Sequence, residues 1–272
     1  MISKRLYRAV LKFKRGKGII MESVKGIYIS EKEDEEKGRL ISIKLCVPVL
    51  SESPCEELHL CFENGRLYLK KGSLAMCGDF TAEKGRLKLQ RLNSELLVKA
   101  AAIKNADHPL NIIDATAGMG EDSLLLAAAG HNVYMFERNP VIAALLSDAL
   151  QRAALDTELA PIAERMKLIA DDFISAPKPC IPDIVFLDPM FPAREKSGLI
   201  KKKFQLLKLL ESPCSDEKEL LDAALSCAPK KVIIKRPLKA PYLAGVKPMY
   251  DIKGSTIRYD CFYFEKTIDS AR

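Results

Sequence analysis

Short runs of alternating apolar and polar residues dominate the chain up to about Gly85. Gly26-Ile-Tyr-Ile-Ser, Leu40-Ile-Ser-Ile-Lys-Leu-Cys-Val, Leu58-His-Leu-Cys-Phe and Arg66-Leu-Tyr-Leu-Lys each carry the two-residue period of a half-buried strand. Glu63-Asn64-Gly65 supplies a turn between the last two, and Glu31–Glu36 reads as an acidic loop. A small β-rich domain over residues 1–90 is the expectation. From Leu92 to Lys104 the period becomes that of a helix, with Asn93 or Ser94 available as N-cap. This segment is expected to bridge into a second domain over residues 91–272.

The second domain alternates strand with helix. Apolar runs predict strands at Asn111–Ala115, Asn132–Phe136, Met166–Ala170, Asp183–Leu187 and Lys231–Lys235, with helices near Asp122–Ala129, Pro140–Ala154 and Leu199–Leu210. Strands without a polar face belong in a parallel sheet covered by helices on both sides. Two further alternating runs, Val246–Ile252 and Arg258–Glu265, flank Lys253-Gly254-Ser255 and predict a β-hairpin. Class I methyltransferases close a parallel sheet with such an antiparallel hairpin, and ordinary dinucleotide-binding dehydrogenase domains do not. The expected fold class is therefore α/β: a class I S-adenosylmethionine-dependent methyltransferase, doubly wound and mostly parallel, behind the small N-terminal domain.

Charge alters the picture more than composition does. With 272 residues and 48% hydrophobic positions, the chain can bury one full α/β core and a small extra domain. No apolar run approaches the roughly 18 residues of a membrane span, and the start has no secretory h-region, so a cytoplasmic location away from membranes is expected. The 8 cysteines form no Cys-x-x-Cys pair, and His59, His108 and His131 are isolated, so neither a metal site nor a disulfide framework is expected. Through Asn105 there are 21 Lys and Arg against 13 Asp and Glu, whereas the remainder is nearly balanced. The start is free of acids through Met21, which suits a nucleic-acid-binding arm. Gly16 and Gly18 argue against a mitochondrial presequence. A second basic strip, Arg194–Lys208, has Glu195 as its single acid. Both strips suit a polyanionic substrate, and equally a solvated surface.

Two motifs carry chemistry. In Asp114-Ala-Thr-Ala-Gly-Met-Gly, Gly118 and Gly120 permit a sharp turn and close approach of a ligand. The helix that follows opens with Glu121 and Asp122, which would repel a pyrophosphate and favour the cationic methionine portion of S-adenosylmethionine. Asp114 and Asp122 are candidates to face it. Glu137 ends the second strand at the offset where an acid reaches ribose hydroxyls, and Asp172 with Phe173 can receive an adenine. Asp188-Pro189-Met190-Phe191 follows another apolar strand and is a variant of the Asp/Asn-Pro-Pro-aromatic motif for methylating exocyclic amines. Such an amine is a weak nucleophile because its lone pair is delocalised. Asp188 and the Pro189 carbonyl can each accept an N–H, and Phe191 can stack on an extruded base.

These residues resemble the RsmJ family of bacterial 16S rRNA (guanine-N2)-methyltransferases. The likeness is carried by Asp114–Gly120, Glu137-Arg138-Asn139-Pro140, Leu187–Pro192 with Lys196-Ser197 and Lys201-Lys202, and Val232-Ile-Ile-Lys235-Arg236-Pro237. It spans roughly Ser94 to the C-terminus and implies a guanine of small-subunit ribosomal RNA as target. It also implies S-adenosylmethionine contacts at Glu121, Asp122, Glu137, Arg138, Asp172, Phe173 and Asp188. Lys196, Lys201, Lys202, Lys203, Lys235 and Arg236 are expected to hold phosphates. Glu121 stands where the family commonly has Arg, and Lys84–Asn93 replaces a glycine- and arginine-rich segment. The rival enzyme reading is methylation of another RNA or DNA base, since the four-residue motif serves adenine, cytosine and guanine alike. A non-catalytic RNA-binding or ribosome-assembly protein is the rival of another class, and retention of Glu137 and Asp188 argues against it.

Overall fold

The computed structural model of the protein describes residues 24–189, 202–210 and 215–264. The N-terminal part runs β1 (Ile27–Ile29), α1 (Glu35–Leu45), β2 (Val49–Leu50), β3 (His59–Glu63), β4 (Arg66–Lys71) and β5 (Leu74–Met76). Its strands form one sheet in the order β2-β1-β3-β4-β5, with β1 parallel to both neighbours and β3-β4-β5 an antiparallel meander. Asn64 (φ 51°) and Gly65 (φ 69°) are both left-handed, the backbone that a two-residue hairpin turn requires. The Gly65 N–H donates to Asp34 Oδ2 at 3.0 Å.

The strand expected at Leu40–Val47 is instead most of helix α1. A strand would place Ile41, Ile43 and Leu45 on one face, but Ile43 is 72% exposed while Leu45 is buried and Ile41 packs beside it in the core. Burial at Gly38, Ile41 and Leu45 follows the helical period. The acids expected to form a loop sit at the helix start, where Glu35 and Glu36 favour the N-terminal dipole and Glu35 pairs with Arg39 one turn on.

A helical connector follows: a 3₁₀ turn at Phe80–Glu83, then α2 (Lys84–Leu87), α3 (Leu89–Leu92) and α4 (Leu96–Ala101). The single helix expected over Leu92–Lys104 is thus broken. Ser94 Oγ donates to the Arg91 carbonyl and closes α3, so neither Asn93 nor Ser94 caps α4.

The remaining elements are β6 (Asn111–Asp114), α5 (Glu121–Ala128), β7 (Asn132–Phe136), α6 (Pro140–Ala153), α7 (Ala160–Ala163), β8 (Met166–Ile169), β9 (Ile184–Leu187), α8 (Lys202–Leu210), α9 (Glu217–Ser226), β10 (Lys231–Pro237), β11 (Tyr250–Lys253) and β12 (Ile257–Tyr263). Helix α9 was not expected from the sequence. The sheet order is β11-β12-β10-β9-β6-β7-β8, parallel from β10 to β8, with β12 antiparallel to β10 and to β11. Chain order reverses between β6 and β9, so the crevice at their C-terminal ends is where an open α/β sheet receives ligands. One face packs Leu124, Ala127 and Leu97 against Ile112 and Ile233, and the other packs Leu220, Leu221 and Phe173 against Val185 and Val232.

The two sheets share a third core, in which Leu60, Leu67 and Met76 meet Met119, Val141, Leu145 and Leu206. Asp148 of α6 accepts the buried Leu67 N–H at 3.2 Å and pairs with Arg152. Among the described residues no helix is long and apolar enough to cross a membrane.

Candidate active site

After β6 the chain turns through Ala115–Gly120 into α5. Gly118 (φ 53°) and Gly120 (φ 77°) take left-handed backbone that a side chain would strain. A Cβ on Gly120 would also lie 2.7 Å from Leu146 Cδ1, whereas at Gly118 it would meet open space. Glu137, at the end of β7, supports this turn: Oε2 accepts the Gly118 N–H at 2.9 Å, and Oε1 accepts the Asn139 N–H at 2.7 Å. The acid on the cofactor side of the cleft therefore also shapes the glycine turn.

Asp114 does not face the cleft, contrary to expectation. It is buried beneath the turn, where Oδ1 accepts the Thr116 N–H at 3.1 Å and Oδ2 accepts the Ser123 hydroxyl at 2.6 Å. Burial pushes its carboxyl up to about 7, against the lowering effect of those two donors.

The second motif meets the first directly. The Asp188 N–H donates to Thr116 Oγ1 at 2.6 Å, so the loop after β9 starts on the glycine turn. Lys235 Nζ lies 2.5 Å from Asp122 Oδ2 and 3.0 Å from Asp188 Oδ2, bridging the start of α5 to the acid after β9. Burial raises the Asp188 carboxyl to about 6, with Lys235 opposing and Asp122 adding to the rise. Lys235 is held above its ordinary value by the two carboxylates, which outweigh its own burial.

The expectation that Lys235 and Arg236 hold phosphates does not survive this placement. Lys235 is committed to two acids inside the cleft. Arg236 is 2% exposed and donates through Nε and Nη2 to the Pro241 carbonyl and through Nη1 to Glu217.

On the far side of the cleft, Asp172 Oδ1 accepts the Ile174 N–H at 3.0 Å, and both residues line the wall. Phe173 also lines the cleft, though little of its ring is open. Its ring is buried, edge-on to Phe136 at 5.4 Å, with the Lys178 ammonium 4.3 Å from its centre. Half-buried Ile174 supplies apolar wall there too. Arg138 lines the same cleft and pairs with Asp216 at 2.8 Å. Phe191, Lys196 and Lys201 lie outside the described residues, and Lys202 and Lys203 begin the backbone of α8.

The cleft measures about 1040 Å³, with Glu121, Asp122, Glu137, Asp172 and Asp188 in its walls. An acidic cleft beside an open glycine turn fits a ligand with an ammonium and a sulfonium and no phosphate. Comparison with known proteins agrees. The SAM_MT family, described as SAM-dependent methyltransferase, matches residues 47–264. The ribosomal RNA small subunit methyltransferase J of Thioalkalivibrio sulfidiphilus is 38% identical over 248 residues, 86% of this chain and 95% of that protein.

This chain belongs to the ribosomal RNA small subunit methyltransferase J family.

A second methyltransferase J, from Pseudomonas paraeruginosa, is 43% identical over 182 residues, covering 66% of this chain and 69% of the relative. The crystal structure of a SAM-dependent methyltransferase of Neisseria gonorrhoeae superposes with a TM-score of 0.67 at 28% identity, covering 88% of this chain and 95% of that one. This chain thus has the class I fold expected of it, and S-adenosylmethionine is its cofactor. Sequence reasoning missed the positions of Thr116, Ile174 and Asp216 and the partners of Lys235. Only Lys235 carried a signal, as a cation at the end of a predicted strand.

Proposed function

We propose that this protein methylates the exocyclic N2 amine of a guanine in 16S ribosomal RNA, in the cytoplasm. The observation that carries the reading is Asp188. Its side chain is one-third exposed into the cleft, while its own backbone is fastened to Thr116 of the cofactor turn. A base acceptor is thereby fixed beside the cofactor loop.

When bound, S-adenosylmethionine supplies an electrophilic methyl group on a sulfonium. Glu121, Asp122, Glu137 and Asp172 are the acids that line its cleft. Asp188 and the Pro189 carbonyl accept the two N–H bonds of the guanine amine and direct its lone pair toward the methyl. Asp188 would then take up the proton that the amine sheds once it has received the methyl group. Phe191 stacks on the base. Lys208 and Lys239, both exposed on the cleft rim, replace Lys235 and Arg236 as phosphate contacts, together with Lys196 and Lys201–Lys203.

Mass spectrometry of 16S rRNA nucleosides from a deletion strain tests this function. N2-methylguanosine is expected to fall on deletion and to return with the wild-type gene but not with Asp188→Ala. An unchanged N2-methylguanosine level in the deletion strain overturns it.

A further inference from the structure

Lys235 has no part in the roles assigned so far, yet it occupies the centre of the site. It stands on β10 one residue past Ile234, which is in register with Leu187 of β9, so Lys235 emerges beside Asp188 on the adjacent parallel strand. On its other side it is in register with Tyr259 of β12. Its ammonium spends one donor on Asp122 Oδ2 and another on Asp188 Oδ2. Among the described residues, the other groups that act electrostatically with Asp188 are acidic or phenolic: Asp122 from α5, Asp114 from β6 and Tyr259 from β12. Among the described residues Lys235 is the cation that offsets them.

Resting on the reading of Asp188 as the acceptor of the target amine, we infer that Lys235 is a positioning residue. It keeps Asp188 ionised inside the cleft and engages Oδ2, so that Oδ1 is presented to the amine. Asp122 sets the strength of that hold by competing for the same ammonium. A phosphate contact would ask Lys235 to leave two carboxylates together without their cation, which the cleft does not favour. The arrangement also gives the two acids of the corner opposite tasks. Asp188 works as an acceptor because Lys235 is charged, and Asp122 draws on the same charge and so tempers its hold.

The test reads Asp188 directly. Carboxyl ¹³C resonances of the whole protein labelled at aspartate are titrated without cofactor or RNA, with the Asp188 signal assigned from Asp188→Asn. Lys235→Met is expected to move the Asp188 titration upward by about one unit or more, and Asp122→Asn to move it downward. Lys235→Arg, which keeps the charge, is expected to leave it near wild type, and serves also if the methionine variant does not fold.

Single-turnover methylation should follow the same order for the two Lys235 variants. Lys235→Met loses activity near neutral pH and recovers part of it by about pH 9, a rescue that damage to packing alone would not give. An Asp188 titration unmoved in Lys235→Met, or moved as far by Lys235→Arg, overturns the assignment. If the titrations shift as expected but the wild type modifies no guanine of 16S rRNA, the functional reading falls and the Lys235 assignment stands.

Discussion

Strands β10 and β12 hold two kinds of buried cation within a few residues of each other. Arg258 is closed on all sides: Nε and Nη2 bind Asp260, and Nη1 donates to the carbonyls of Pro237, Leu238 and Ala240. With Arg236 on Pro241, it pins the 237–241 segment that forms part of the cleft wall. Lys235 is also mostly buried, but one of its partners opens into the cleft. The difference separates scaffold from chemistry. A guanidinium with five donors in a rigid fork can saturate a tight loop, whereas an ammonium between two acids leaves a carboxylate oxygen for a visitor.

The strongest challenge to that distinction is Asp188→Ala. It is expected to lower the single-turnover rate by about 10²–10⁴-fold with cofactor and RNA affinity nearly unchanged, because the carboxylate matters most as the amine becomes cationic. A near wild-type rate would place Asp188 with the scaffold. Arg258→Met should do the reverse, costing about 3–5 kcal/mol of stability by leaving Asp260 buried without its cation. Urea titration measures this, and Arg258→Met with Asp260→Leu should regain part of the loss; a stable single variant would mean that the closed pair is dispensable.

Asp114 belongs to the scaffold by the same criterion, and pH exposes it. Its folded value of about 7 lies above the roughly 3.9 of an unfolded aspartate, so wild-type stability declines as pH rises between them. Asp114→Asn removes that decline. Relative to wild type it should gain about 2–4 kcal/mol between pH 4 and pH 8, and a constant difference in denaturation midpoints would contradict it.

Glu137→Gln tests the one residue that belongs to both groups. S-adenosylmethionine affinity should fall by about 1–2 kcal/mol in calorimetry, and unchanged affinity would confine Glu137 to shaping the Gly118 turn. The smallest effect is expected at the rim. Lys208→Gln with Lys239→Gln should flatten the salt dependence of RNA binding by about 0.7–0.9 in slope per lost contact, and parallel plots would make both lysines solvent-facing only.

The seven-stranded sheet was legible because its signals are local. Apolar runs gave the parallel strands, and the glycines and the acid after each strand gave the cleft. The Val246–Glu265 alternation gave the hairpin, seen at Tyr250–Lys253 and Ile257–Tyr263. Leu40–Val47 misled because Ile41, Ile43 and Leu45 satisfy a two-residue period, while only the packing of α1 on the sheet decides which of them is buried. Asp114 was placed at the correct strand end with the wrong orientation, since Ser123 could not be known to cover it. Lys235 was misassigned for the same reason: its partners come from the start of α5 (Asp122) and from just past β9 (Asp188), and charge read along a chain carries no information about depth.

The hydrogen bond from the Asp188 N–H to Thr116 ties the chain just after β9 to the glycine turn after β6. On the proposed reading, any coupling that passes through this contact has equal size in both directions. Whatever factor S-adenosylmethionine adds to guanine affinity, guanine returns to S-adenosylmethionine. Such reciprocity builds in no order of assembly: the ligand whose free concentration stands higher above its own Kd fills its site first and draws in the other.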